Sequence, residues 1–228
     1  TQTSPKYRVP HNTLISGLDK YVGDMIMAIY GAPVAVADHA RAACETALDM
    51  VSSLTHLKRR YATWPAIDIG VGIHTGSMWV GNMGSDVRFA YTVTGDAVNL
   101  ASRIEGLTRH YSNRVIISEQ ALLAAGDGLL SRRLDVLRVK GRAEAITIHE
   151  LVGRSGEVAP ETHRFVADYT RALALYQAGC WQEAVQALTT LQGQRPEDGP
   201  TAVLLERSRR FSEQPPLDWD GTWSMEEK

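Results

Sequence analysis

Residues 89–105 read "FAYTVTGDAVNLASRIE", and they change character half-way. Phe89, Tyr91 and Val93 alternate with Ala90, Thr92 and Thr94, the period of a strand. Gly95-Asp96 then opens a segment whose apolar positions, Ala97, Leu100, Ala101, Ile104 and Leu107, recur at three- and four-residue steps, the buried stripe of a helix. Asn99, Ser102 and Arg103 fall off that stripe. Asn99 and Arg103 are four apart, so they stand as neighbours at the positive end of the helix dipole, beside backbone N–H groups that have no partner within the helix. A neutral amide and a planar, permanently charged fork suit an oxygen-rich centre that gains charge during a reaction. On this pair alone, a solvated helix face is the more economical reading.

The flanking segments carry their own patterns. "LDKYVGDMIMAIYG" gives two short apolar runs split by Gly23-Asp24, a hairpin with Asp24 at its turn and Met25 to Tyr30 as the returning strand. From Asp38, a plausible N-cap, the positions Ala40, Ala43, Ala47, Met50, Val51, Leu54 and Leu57 mark an amphipathic helix ending at Lys58-Arg59-Arg60. "AIDIGVGIHTG" alternates as a strand from Ile67 to Ile73, and "SMWVGNMG" follows as a short strand closed by glycines. Downstream, "NRVIISEQALLAAG" reads as strand then short helix. "LLSRRLDVLRVKG" and "AEAITIHELVG" read as two strands joined at Gly141-Arg142. The Gly/Pro-containing stretch 153–161 lacks periodicity and divides the chain into 1–153 and 154–228.

The second part is Ala/Leu-rich and helical. Tyr176, Gly179, Trp181, Ala184 and Pro196 have the small-versus-large spacing of a tetratricopeptide-like helical hairpin. One such hairpin cannot bury its own face, so it is expected to dock on the first part or on another chain. Trp219 and Trp223 read as anchors that staple the tail to the body.

The bulk numbers narrow the partners. With 24 Lys+Arg against 26 Asp+Glu, the formal charge of −2 supplies no global attraction to nucleic acid or anionic lipid. The basic cluster 58–60 is a short helix end without aromatic interleaving, and no nucleic-acid partner is expected. No apolar run approaches the roughly 20 residues of a membrane span. Cys44 and Cys180 are far apart in helix-patterned stretches and read as small buried hydrophobes in a reducing, cytoplasmic setting.

"DKYVGDMIMAIYGAP", "VGIHTGSMWVGNMGSDVRFAYTVTGDAVNLASRIE" and "LRVKGRAEAITIHEL", in this order and at these separations, resemble the catalytic domain of class III nucleotidyl cyclases over Leu18 to Val152. The resemblance implies an α+β fold, a ferredoxin-like βαββαβ unit, here without its first strand and helices and followed by the small helical hairpin. It further implies a head-to-tail homodimer with active sites at the subunit interface, and conversion of ATP to 3′,5′-cyclic AMP and pyrophosphate.

Carried over residue by residue, it makes Asp24 one of two aspartates that hold a pair of Mg²⁺ or Mn²⁺ ions, Lys20 and Thr92 the readers of the purine, Asn99 the residue that orients the ribose, Arg103 the one that meets the α-phosphate, and Lys140 the one that grips the terminal phosphates. The Lys/Thr pair resembles a bacterial subgroup and favours ATP over GTP. Asp24 comes from one protomer, and the others from its partner. Without the resemblance, Asp24 is a turn residue, Lys20 and Lys140 are surface charges, and Thr92 fills a strand.

His74 and Arg88 read as structural, and Gly76, Gly81 and Gly84 as turn glycines near a subunit contact. The family's other metal aspartate lies in a strand before the "DKYVGD" turn, and no acidic residue precedes Asp19. The expectation is therefore half a metal site, and weak or absent turnover in this polypeptide. Two rival readings are a non-catalytic cyclase-homology module that serves dimerisation or regulation, and an interaction protein built around the C-terminal hairpin.

Overall fold

The computed structural model describes residues 17–61, 63, 67–85, 88–138 and 144–224; of 17–22, 83–85 and 88–91 it describes the backbone alone. The chain begins there with strand β1 (Gly17–Val22), which turns through Gly23-Asp24 into antiparallel β2 (Met25–Ile29). Helix α1 (His39–Arg60) follows, with Asp38 at its N-cap and Lys58, Arg59 and Arg60 in its last turn, where cations complement the helix dipole.

Strand β3 (Val71–Ile73) is shorter than the alternation of 67–73 predicts. Its parallel neighbour β6 (Val115–Ser118) starts opposite Val71, so Ile67 and Ile69 have no ladder to join. Strands β4 (Trp79–Ser85) and β5 (Arg88–Thr94) form a long antiparallel hairpin. Gly81 and Gly84 lie within β4 rather than at turns. Helix α2 (Asp96–His110) leaves β5 at Gly95, and the short α3 (Glu119–Ala125) leaves β6 at Ser118, whose hydroxyl accepts from Ala121 N.

Strands β7 (Leu129–Arg138) and β8 (Ile146–Arg154) are the two strands the sequence predicts; they pair antiparallel and centre a five-stranded sheet of order β3-β6-β8-β7-β9. Strand β9 (Trp223–Ser224) comes from the C-terminal tail and lies parallel to the end of β7. The β1–β2 and β4–β5 hairpins are hydrogen-bonded separately from this sheet.

Both sheet faces are apolar because buried strands alternate. Val115 and Ile117 of β6 face α1 and α3 beside Cys44, Ala47 and Ala121, whereas Ile116 faces α2 beside Leu100, Ile104 and Leu107. The helix stripe expected from sequence is the buried face of α2, except that Ala101 is only half-buried and Thr108 is added.

Beyond the sheet come three helices, not the two of a hairpin: α4 (Pro160–Gln177), α5 (Trp181–Gln194) and α6 (Gly199–Glu213). Pro200 sits in the first turn of α6, where a missing N–H costs nothing, so "RPEDGP" starts a helix instead of ending the structure. The helices share an aromatic core of Phe165, Tyr169, Tyr176 and Phe211, with Trp181, Trp219 and Trp223 against it. Cys44 is buried as expected. Cys180 is exposed, because it occupies the N-cap of α5 rather than its apolar stripe.

The helices are fastened to the sheet by two buried arginines. Arg132, 3% exposed, donates to both carboxylate oxygens of Asp198 at 2.9 Å and to Glu150 at 2.6 Å, and its guanidinium lies 4.6 Å over the Tyr169 ring. Burial alone would lower its pKa, but the Glu150 and Asp198 carboxylates hold it above the ordinary arginine value. Asp198 also caps α6 by accepting from Thr201 N. Arg207 of α6 pairs with buried Asp135 of β7, which accepts from Tyr111 Oη at 2.7 Å, and it stacks 4.1 Å over Trp223. These are buried charges with their partners supplied, the condition under which proteins tolerate them.

Candidate active site

The turn that makes the site possible is Gly95. Its φ of +147° lies where a side chain is strained, and an added Cβ would stand 3.4 Å from Met78 Cα. The chain thereby passes from β5 into α2 within one residue. Glycine at the N-cap supplies no side-chain acceptor, so no side chain caps the first N–H groups of α2. Asn99 and Arg103 lie on the exposed side of this helix, one turn apart, opposite the buried Leu100 and Ile104.

The height of α2 is set from below. A Cβ on Gly72 of β3 would come 2.3 Å from Glu105 N and 2.7 Å from Ala101 O, and one on Gly70 would come 2.2 Å from Thr108 Oγ1. Helix backbone therefore rests directly on strand backbone, on the side of α2 opposite Asn99 and Arg103.

Thr92 is half-buried in β5 and paired in register with Gly81. Lys20 is in β1, in register with Met27, and β1 lies against β5, so the two candidate purine readers are on adjoining strands. Asp24 is exposed at the β1–β2 turn. Lys140 lies outside the described residues, two positions after the end of β7. His74 accepts or donates a 2.8 Å hydrogen bond with Ser118 Oγ at the start of α3, a tethering role.

No three His, Cys, Asp or Glu side chains are grouped as metal ligands among the described residues. Asp24 fits as a single carboxylate ligand, not as a complete two-ion set. Sequence reasoning missed Gly70 and Gly72 as the seat of α2. It missed the Arg132 and Arg207 clusters as well. Their signal was present: charges at inward positions of β7, and an arginine between Leu204, Ser208 and Phe211 on the buried side of α6.

The family model of the adenylate and guanylate cyclase catalytic domain matches residues 19–152, more than half of the chain. The chain belongs to this cyclase family. Over 195 residues, 83% of the chain, it is 32% identical to the terminal-differentiation-specific adenylate cyclase of Dictyostelium discoideum, of which it covers 9%. It is 38% identical over 138 residues to the adenylate cyclase of Anabaena cylindrica, covering 59% of this chain and 28% of that protein.

The chain thus spans less than a third of either relative. Residues 1–152 make up only two thirds of the chain, so the likeness to the Dictyostelium protein continues into the C-terminal helices. Among solved structures, the guanylyl cyclase Cya2 superimposes with a TM-score of 0.54 at 31% identity, over 60% of this chain and 70% of that one. The adenylyl cyclase CyaB from P. aeruginosa does so with 0.54 at 29%, over 62% and 74%. The cyclase fold is shared equally with an adenylyl and a guanylyl enzyme, so it does not distinguish the purines.

No helix among the described residues is long and apolar enough to cross a membrane.

Proposed function

We propose that this cyclase domain forms 3′,5′-cyclic AMP from ATP. The observation that carries the reading is the exposed Asn99–Arg103 pair on the first turns of α2, directly after the Gly95 switch. An amide and a guanidinium held by a rigid helix, off its packing face, serve no structural bond in the described chain. They suit a phosphorus whose oxygens gain charge.

In the reaction, the ribose 3′-hydroxyl bonds to the α-phosphorus, the bond from that phosphorus to the oxygen bridging to the β-phosphate breaks, and pyrophosphate leaves. Asn99 orients the ribose, so that the nucleophile is held in line. Arg103 donates to the α-phosphate oxygens as the phosphorus becomes five-coordinate, where its fixed charge is worth most. Lys140 holds the terminal phosphates as a point charge. Lys20 donates to an adenine ring nitrogen and the Thr92 hydroxyl faces the exocyclic amine, which is what favours ATP.

Mg²⁺ or Mn²⁺, when bound, neutralises triphosphate charge and sharpens the 3′-hydroxyl. Asp24 is the ligand this chain offers. Two chains are expected to pair about a two-fold axis, with Asp24 of one protomer facing the Asn99–Arg103 helix of its partner.

The direct test is product identity by mass spectrometry after parallel incubation with ATP and GTP in Mn²⁺. Cyclic AMP in clear excess over cyclic GMP supports the reading. Excess cyclic GMP refutes the purine assignment, and the absence of both products refutes the catalytic one.

A further inference from the structure

The end of α2 that lies away from Asn99 and Arg103 is held by the C-terminal helices. Asn113 N donates to Thr108 O at 2.8 Å and Ser112 takes a φ of +47°, so the helix closes in a Schellman turn with serine where glycine is usual. Gly199, the first residue of α6, lies against this turn: a Cβ there would run into Tyr111 O and come 2.7 Å from Ser112 Cβ. Val203, one turn on, packs against the core that Leu100, Ile104, Leu107 and Tyr111 share with the sheet.

Arg207, a further turn along α6, completes the grip. Its Nη2 donates to Nε2 of His110, the last residue of α2, at 2.9 Å and to Tyr111 Oη at 3.4 Å, while Nη1 pairs with Asp135 of β7. Arginine can only donate, so His110 accepts as a neutral ring. Burial first, and the Arg207 charge second, hold the pKa of His110 below its usual value. Tyr111 Oη donates to the same Asp135 carboxylate. One buried arginine thus ties α6 and β7 to the two residues that end α2.

We infer that Arg207, Tyr111 and Asp135 are positioning residues for the reaction: by fixing the C-terminal end of α2, helix α6 sets where Asn99 and Arg103 stand. The inference rests on the reading of those two residues as the groups that act at the ribose and the α-phosphate. Its physical basis is a lever. Between the grip and the Asn99–Arg103 pair lies the seat of α2 on Gly72, at Ala101 and Glu105. At the rise of an α-helix, Asn99 and Tyr111 are each about 9 Å along the axis from Glu105, on opposite sides of it. A tilt about the seat therefore moves both ends by similar amounts, and a misplacement of about 1 Å at a reacting group can cost about a hundredfold in rate. The grip residues lie at the far end of α2 and act through it.

The test measures cyclic AMP formation by the full chain at saturating ATP and Mn²⁺, beside its affinity for 3′-deoxy-ATP, which lacks the nucleophile. Asp135→Leu combined with Arg207→Met removes the grip without leaving a buried charge unmatched. It is expected to lower the rate about five- to twentyfold and to change affinity by less than about twofold, since the fault lies in alignment and not in binding. Tyr111→Phe, which keeps the ring and the Arg207–Asp135 pair, acts in the same direction by about two- to threefold. Leu188→Ala, in the core of α4–α6 and outside the grip, is expected to lower stability and to leave the rate of the folded chain unchanged.

Wild-type rates in both grip variants would overturn the inference. So would a fall in 3′-deoxy-ATP affinity as large as the fall in rate, or an equal loss of rate in Leu188→Ala. Arg103→Ala separates the two readings: if it is slow while the grip variants are not, the inference alone fails. If it keeps the wild-type rate, or if the wild-type chain forms no cyclic AMP, α2 does not carry the chemistry, and the inference goes with that reading. Should the double variant not fold, Tyr111→Phe decides the matter alone.

Discussion

Arg207 shows how a single side chain can hold two parts of a chain together at a cost. Its guanidinium is buried with Asp135, and the same carboxylate accepts from Tyr111. Removal of one partner leaves a buried charge unmatched, so Arg207→Ala is expected to lower unfolding stability by about 3–5 kcal/mol in a urea titration. Asp135→Leu combined with Arg207→Met, which removes both charges, should cost far less. Equal costs would show that packing rather than charge is lost.

His149 makes a second residue-scale prediction. Burial first, and the nearby Arg133 charge second, pull its pKa from the ordinary 6.5 down to about 4, against the opposing pull of Glu119, whose carboxylate stands 3.9 Å from Nε2. The unfolded chain therefore takes up a proton near pH 6.5 that the folded chain refuses until near pH 4. Stability due to this group is fully present above pH 6.5 and is lost as pH falls through that window, by up to about 3 kcal/mol. Thermal unfolding at pH 7 and pH 5 reads the slope, and His149→Gln should flatten it.

At the scale of elements, the seat of α2 on β3 is the most exacting contact. Gly72→Ala would place a methyl carbon 2.3 Å from helix backbone, which cannot be relieved by turning a side chain. A loss of roughly 3 kcal/mol or more is expected, with weaker binding of 3′-deoxy-ATP at temperatures where the variant is still folded. Wild-type stability and binding would show that α2 is not fixed from below.

The elements were legible in sequence wherever period and turn chemistry agreed: α1, α2, the β1–β2 hairpin, β5 and the strands β7 and β8 follow directly from alternation, turn and stripe. Legibility failed where distant contacts decide. Strand β3 begins only at Val71 because its partner begins opposite it, a fact of pairing and not of propensity. Helix α6 is a third helix where a two-helix hairpin was expected, and Asp198, which caps it while accepting from Arg132, ties it to the sheet by a distant contact. In the candidate site, the placement of Asn99 and Arg103 off the packing face could be read from spacing alone. Their roles, and those of Lys20, Thr92, Asp24 and Lys140, came only from the family resemblance, because a lone lysine or aspartate has no periodic signature.

At the scale of the whole molecule, the reading of a shared site asks for two chains. Trp79 on β4 is 78% exposed, far more than a tryptophan in a strand has reason to be, and Ile26 beside the Asp24 turn is 53% exposed. Trp79→Asp is expected to weaken self-association at least tenfold in sedimentation equilibrium, and an unchanged monomer–dimer balance would exclude this hairpin from the contact. If the sites are composite, an Asp24→Ala chain mixed with an Arg103→Ala chain should recover part of the wild-type rate, since one of the two sites in each mixed pair is intact.

The most direct measurement is the rate of cyclic AMP formation from saturating ATP and Mn²⁺ by Asn99→Ala and Arg103→Ala, beside their affinity for 3′-deoxy-ATP. The account predicts a rate about 10²–10³-fold lower in each, with affinity nearly unchanged, because Asn99 holds the nucleophile in line and Arg103 acts chiefly on charge that develops at the phosphorus. A rate equal to wild type in either variant would contradict it.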